Sequence, residues 1–374
     1  MSCTHLLRTV DLDLPHHRRW DKVIQQDLAA ARLLVDEARA QMGGEGLLTR
    51  LWGGPYADEL RAWARALGLS FGTVAIATYG YELGHLTLAS RVARLWGAIF
   101  GCTSAACQPG ERPPLLLRNL DWDLKQIGPA TRLFRFTRTL PDDSRHTFIA
   151  VGFPAFVGVL SGMVPGGYAV TINWMMPVEP PGFSGYGTAM LLRRTLEECR
   201  TYDEAVKMLS TGPVASSVFY TVCGIKPGEA YVIERSRHAA AVRPMHHGLE
   251  VQTNHNIDPR YADNNTRLFE ANKTMHDPLV DSTLKRREVA TAVLSQAMSQ
   301  GTELALLGAL AVPPVCNGLT VQRMCFDPSA GRVIIEHPTS VPPSGTAPSD
   351  PGCCPAGPWE RCEYQAEVGD FTRG

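Results

Sequence analysis

Apolar positions recur at helical spacing through "WDKVIQQDLAAARLLVDEARA", residues 20–40, and again through "YADELRAWARALGL", which ends near Gly68. The first hundred residues are therefore expected to be mostly helical. From Ile99 the pattern changes to short runs rich in Val, Ile, Phe and Thr, broken by Gly and Pro. These runs predict strands at 99–106, 114–120, 147–152, 156–160, 168–174, 217–223, 229–235 and 249–253. Helical stretches interrupt them at 187–199 and 202–210, the second opened by a capping box of Thr201 and Glu204. Beyond residue 263, helical spacing returns at 281–299 and 303–310. A final hairpin, "LTVQRMCFDPSAGRVIIEH", turns at Asp327-Pro328. From Pro338 the chain is rich in Pro, Ser and Gly without periodicity, which predicts a largely disordered tail over 338–374.

Helices, then many strands, then helices and strands again imply a layered α+β fold. There is no regular βαβ alternation and no GxGxxG or GxxxxGK[ST] segment, which argues against a nucleotide fold. Of the 374 residues, 44% are hydrophobic and 20% charged, as in a globular chain with ample core material. A net charge of −1 supplies no basic field for nucleic acid. No apolar run approaches the roughly 20 residues of a membrane-spanning helix. Met1-Ser2-Cys3-Thr4-His5 has no signal-peptide pattern, so a cytoplasmic protein is expected, or a lysosomal or secreted one if a leader is missing. The ten cysteines are scattered, without a CxxC pair or a His/Cys cluster of zinc spacing. They read as thiols, with no metal site and no cofactor expected, and those of the tail as structurally idle. The sequons at Asn264 and Asn272 would matter only in a secreted protein.

The candidate chemistry lies in "IFGCTSAACQPGERPPLLLRNLDWD", residues 99–123. Gly101 relaxes the steric limits on the backbone just before Cys102. A hairpin centred on "QPGERPP" would carry Arg118 and Asp121 back alongside the cysteine. A guanidinium near a thiol favours the thiolate, and a carboxylate can orient an amine beside it.

This stretch resembles the start of the mature chain in N-terminal-nucleophile (Ntn) cysteine hydrolases. The similarity is to the branch of acid ceramidase and N-acylethanolamine-hydrolysing acid amidase, with isopenicillin-N acyltransferase-like proteins as more distant relatives. Four further segments are similar in the same order: "TVDLDLPHHRRW" (9–20), "VGVLSGMVPGGYAVTIN" (157–173), "SVFYTVCGIKPGEAYVIER" (217–235) and "QTNHN" (252–256).

The resemblance implies a four-layer αββα sandwich of antiparallel sheets with a helical N-terminal segment. It implies cleavage between Gly101 and Cys102, giving a chain of residues 1–101 that stays associated with a catalytic domain over 102–337. Cys102 is then the nucleophile, flanked by Arg118 and Asp121, with Asn254 as an oxyanion-hole amide. Asn173 and Arg267 match further polar site residues, and Met163, Trp174 and Met175 are expected near an acyl pocket. The implied activity is hydrolysis of a linear N-acyl amide, an N-acylethanolamine- or ceramide-like lipid amide, through an acyl-enzyme on Cys102. The alternative is an acyltransferase that passes the acyl group to an amine or thiol. The relatives usually carry a carboxylate just after the central strand. Here the residues are Asn173-Trp174-Met175, which predicts a working pH near neutrality.

Overall fold

A computed structural model describes residues 3–42, 56–89, 100–182, 184–341 and 357–368. The chain enters through a 3-10 turn, Cys3–His5, and strand β1, Leu7–Asp11, followed by helices α1 (Asp21–Met42), α2 (Ala57–Leu67) and α3 (Phe71–Ala89). Six strands come next: β2 (Phe100–Cys107), β3 (Leu115–Trp122), β4 (Arg132–Thr139), β5 (Arg145–Gly152), β6 (Ser161–Val164) and β7 (Tyr168–Trp174). Helices α4 (Thr188–Glu198) and α5 (Tyr202–Thr211) lead to β8 (Val218–Cys223), β9 (Ala230–Arg235), β10 (Ala240–Pro244) and β11 (Leu249–Gln252). The remainder is α6 (Ala262–Met275), α7 (Pro278–Asp281), α8 (Thr283–Ala297), α9 (Glu303–Ala309), β12 (Thr320–Asp327), β13 (Arg332–Pro338) and β14 (Trp359–Gln365).

The strands form two sheets, ordered β1-β4-β5-β6-β7-β8-β9-β10 and β11-β2-β3-β12-β13-β14. Alternation along each strand assigns its side chains to two faces. Leu116 and Ala106 of the smaller sheet meet Ile149, Met163 and Ala169 of the larger one in a core between the sheets. Leu115, Leu117 and Ala105, one position out of phase, instead pack under Ala290 and Leu294 of α8 and Leu306 of α9. The outer face of the larger sheet, with Phe134, Phe136 and Val170, is covered by α1 to α5 through residues such as Val35, Trp63, Leu192 and Leu209. Helices lie on both outsides and two sheets within, the αββα sandwich expected.

Several local expectations change. The N-terminal segment, helical for the most part as expected, also contributes a strand: β1 pairs with β4 in parallel, Leu7 opposite Leu133. Residues 156–160 are not a strand, and the pairing strand is the next segment, β6. In the expected disordered tail, Trp359–Gln365 is a strand antiparallel to β13, with Cys362 opposite Ile335 and wholly buried. Its alternation places Cys362 in the core between the sheets, so this cysteine is a structural residue. Residues 342–356 and 369–374, with Cys353 and Cys354, lie outside the described residues. Cys316 is disulfide-bonded rather than a thiol, a bond common in oxidising compartments and rare in the cytosol. Among the described residues no helix is long and apolar enough to cross a membrane.

Candidate active site

Strands β2 and β3 pair antiparallel with Cys102 opposite Leu120 and Ser104 opposite Arg118. Cys102 and Arg118 therefore share the face turned toward the larger sheet. Arg118 is fully buried and makes its hydrogen bonds there. Its Nη1 donates to the Leu160 carbonyl at 2.6 Å and to the Ser161 hydroxyl, and its Nη2 donates to Cys102 Sγ at 3.0 Å. Two anchors on the chain around the start of β6 thus aim one guanidinium nitrogen at the sulfur.

Asp121 is one step out of phase with Arg118 and turns to other partners. The carboxylate accepts from Thr320 Oγ1 at 2.7 Å and stands 3.7 Å from Arg286, also fully buried. Burial raises the Asp121 pKa, opposed by the charge of Arg286 and the bond from Thr320. Burial likewise pulls Arg286 below its ordinary value, opposed by Asp121. Arg286 ties the site together, donating to the Cys102 carbonyl at 2.8 Å and to Asn254 Oδ1 at 2.7 Å.

Asn254 meets Cys102 with its oxygen. Its Oδ1 accepts from the Cys102 backbone nitrogen at 3.2 Å, while its Nδ2 donates to the Trp174 carbonyl at 2.9 Å. With Arg286 donating to the oxygen and Trp174 accepting from the nitrogen, the amide has one consistent orientation. Asn254 therefore holds the Cys102 nitrogen with its oxygen, while one of its two amide hydrogens goes to Trp174. Asn173 sits one layer behind. It accepts from Ser104 Oγ at 2.5 Å and donates to the carbonyls of Gln252 and Thr253, fixing the segment that carries Asn254.

Gly101 is explained by packing. A Cβ there would lie 2.6 Å from Leu279 Cδ1 and 3.0 Å from its Cβ, so a larger residue would push Leu279 of α7 away from β2. A small cavity opens beside the pair, lined by Gly101, Cys102, Arg118 and Asp121 and by apolar groups of Ala77, Leu120, Trp122, Phe156 and Trp174. Of the expected pocket residues only Trp174 lines it. Met163 is in the core between the sheets, and Met175 packs with Phe219 and Tyr261. Arg267 is not brought to the site either: it is exposed on α6 and donates to the Val178 carbonyl at 3.0 Å.

Residues 107–307 match the model of the acyl-coenzyme A:6-aminopenicillanic acid acyl-transferase family. The chain belongs to that family. Over 367 residues it is 23% identical to acid ceramidase of Mus musculus, covering 87% of this chain and 84% of that one. It is 26% identical over 252 residues to the N-acylethanolamine-hydrolyzing acid amidase of Caenorhabditis elegans, covering 62% of this chain and 68% of the relative. The solved structure of the Caenorhabditis elegans ortholog of that amidase aligns with a TM-score of 0.46 at 26% identity, over 61% of this chain and 93% of that one. A mutant of conjugated bile acid hydrolase from Clostridium perfringens aligns at 0.43 and 10% identity, over 72% and 98%. The family expected from the sequence, the Ntn cysteine hydrolases with acyltransferase relatives, is borne out. So is the expectation of an enzyme acting on carbon–nitrogen bonds other than peptide bonds.

Arg286 is the site residue of this family member that sequence reasoning missed. Lys285-Arg286-Arg287 reads as a solvated cationic run. The signal was helical phase: buried positions of α8 are Thr283, Arg286, Ala290, Leu294 and Ala297, and Arg286 falls on that stripe.

Proposed function

We propose that the chain is a self-processing amidase that cuts its own Gly101–Cys102 bond and then hydrolyses a linear N-acyl amide through a thioester on Cys102. The observation that carries this reading is the double hold on one residue: Arg118 on the Cys102 sulfur and Asn254 on its nitrogen, beside an apolar cavity. In maturation the sulfur attacks the Gly101 carbonyl carbon. The C–N bond breaks, the thiol proton passes to the departing nitrogen, and water hydrolyses the thioester. Residue 101 is left with a carboxylate and Cys102 with a free α-amine.

That amine titrates at about 7.7–8.0 and can take the thiol proton in each turnover. The sulfur then bonds to the substrate's carbonyl carbon, the amine half leaves with the proton, and water releases the acid. Arg118 faces the sulfur as it becomes negative, Asn254 holds the amine, and Asp121 with Arg286 fixes the strand ends around them. The small cavity has a mostly apolar lining, which favours an apolar group next to the reacting carbonyl, each buried methylene adding about 0.8 kcal/mol. The names of the acid ceramidase and acid amidase relatives support a lipid amide as substrate. The family's own description favours a second reading, in which an amine or thiol replaces water as acyl acceptor.

Denatured mass measurement tests the first step. Fragments of 101 and 374 − 101 = 273 residues are expected from the parent, and an uncut, inactive chain from Cys102→Ala. A panel of N-acyl amides with and without added amines tests the second, with free acid expected as product and amide exchange marking the acyltransferase. Because acid protonates the α-amine and no carboxylate follows Asn173, turnover should be higher at pH 7–8 than at pH 4–5. A Cys102→Ala chain that still splits at the same bond, or an uncut parent with full turnover, sinks the proposal.

A further inference from the structure

Far along the smaller sheet from Cys102, three segments distant in sequence bring metal-ligating side chains together. The geometry points to a zinc-type structural metal site formed by His5, His337, Glu360 and Cys362. It does not depend on the reading at Cys102.

The register builds most of it. On β13 and β14 His337 is opposite Glu360, and Ile335 is opposite Cys362, so Glu360 and Cys362 share one face of β14 with His337 beside them. The 3-10 turn before β1 then sets His5 over that face. His5 Nε2 is 3.1 Å from Glu360 Oε1, and Cys362 Sγ is 3.4 Å from the same oxygen. All three ligand atoms fall within 4.8 Å of one another. Zinc bonds of about 2.0–2.3 Å at tetrahedral angles separate their donor atoms by about 3.3–3.6 Å. The observed spacings are near that range.

An ordinary ion pair would account for His5 and Glu360. It leaves His337 unexplained. This ring is 3% exposed, and its Nδ1 faces two carbonyl oxygens, of Gly128 and Pro338, each at 3.1 Å. Two acceptors require a hydrogen on Nδ1, so Nε2 carries the lone pair. That Nε2 has no hydrogen-bond partner, although it is buried and 4.0 Å from Glu360 Oε2. A backbone carbonyl fixing the tautomer while the other nitrogen is bare is how metal-binding histidines are oriented. Two imidazoles, a carboxylate and a thiol form a set suited to zinc. The sequence hid it because the ligands come from opposite ends of the chain. His5 also precedes Gly101, so the ion would bridge the two fragments of a cleaved protein.

The test uses the full chain, without a histidine tag and washed with chelator, titrated with zinc chloride by calorimetry and with cobalt(II) as a spectroscopic probe. One equivalent should bind, cobalt should give tetrahedral absorption with a thiolate charge-transfer band, and zinc should raise the melting temperature. Cys362→Ser should remove the charge-transfer band. His5→Ala and His337→Gln should each weaken zinc binding by at least about 10- to 100-fold, the cost of losing a ligand's outer-shell partner. His5 has a half-exposed side chain, so its variant should fold and melt like the parent in chelator. Absence of saturable binding in the parent, or unchanged affinity in either His5→Ala or Cys362→Ser, overturns the site.

Discussion

At the scale of single residues, the strand period decides which groups can cooperate. Arg118 and Asp121 are close in sequence yet occupy opposite faces of β3, so one serves the sulfur and the other the Arg286 network. Their residue types and rough placement could be read from the sequence, but not this division of labour. Asn254 is held from both ends, by Arg286 and by the Trp174 carbonyl, so its oxygen stays on the Cys102 nitrogen. A nucleophile misplaced by about 1 Å can lose about 10² in rate. Asn254→Ala is accordingly expected to slow turnover about 10²-fold and to slow maturation as well, because both steps need the same nitrogen and sulfur placed. Single-turnover rates and cleavage half-times on one preparation measure the two together. Maturation at the parental rate in this variant would remove Asn254 from the self-cleavage step.

Among the elements, α3 shows best why part of the fold escaped sequence reading. "FGTVAIATYGYELGHLTLA" has no amphipathic stripe because Val74 to His85 are buried on every side, against α1, α4 and the larger sheet. A helix apolar all round gives no 3.6-residue signal. The amphipathic helices α1, α2, α4 and α5 were legible, and the Thr201 capping box forms as read. Strand β1 was not legible, since five residues define no period and only pairing with β4 fixes them. Burial of α3 has a further consequence at Glu82, which accepts from Thr188 N at 2.6 Å and Thr188 Oγ1 at 2.9 Å. Desolvation pushes its carboxyl up to about 7 from 4.5, against those two bonds. The folded state then holds the proton more tightly than the unfolded state, so folding loses stability as pH rises through that window. The loss is about 3 kcal/mol between the two values. Glu82→Gln keeps an acceptor for Thr188 and cannot ionise. It should match the parent's melting temperature near pH 4.5 and exceed it at pH 8, as read by calorimetry at both. Parallel pH profiles for parent and variant would show that Glu82 does not titrate in this range.

For the whole molecule, cleavage at Gly101 would separate α1, α2, α3 and β1 covalently from the sheets they cover, so the question is what keeps the halves together. The answer centres on Glu59 of α2, which no solvent reaches. It accepts from Arg193 of α4 at 2.5 and 3.0 Å and from Trp20 Nε1 at 2.5 Å, with Arg19 at 3.2 Å. The Arg193 guanidinium also lies 4.5 Å from the Tyr56 ring centre and 5.2 Å from that of Phe136. Burial alone would raise the Glu59 pKa. Arg193 and the bonds from His16, Arg193 and Trp20 outweigh it and lower the value to about 2 from 4.5. A depressed carboxyl contributes its stability above the unfolded value and loses it as pH falls toward 2, so the clasp is fully closed at neutral pH. Asp27 of α1 adds a second crossing to Arg132 of β4 at 2.9 Å, beside the parallel β1–β4 pairing. The two fragments should therefore co-elute on size exclusion at pH 7 after cleavage and separate only under denaturant. Glu59→Ala leaves Arg193 buried beside its remaining partner Glu197, and breaking a buried pair in this way costs about 3–5 kcal/mol. Its urea midpoint for fragment separation should fall by a corresponding amount, whereas Arg61→Ala, which removes an exposed pair with Asp58 on the same helix, should leave it unchanged. Equal midpoints for the parent and Glu59→Ala would mean that the apolar packing of α1 to α3 holds the halves without the clasp.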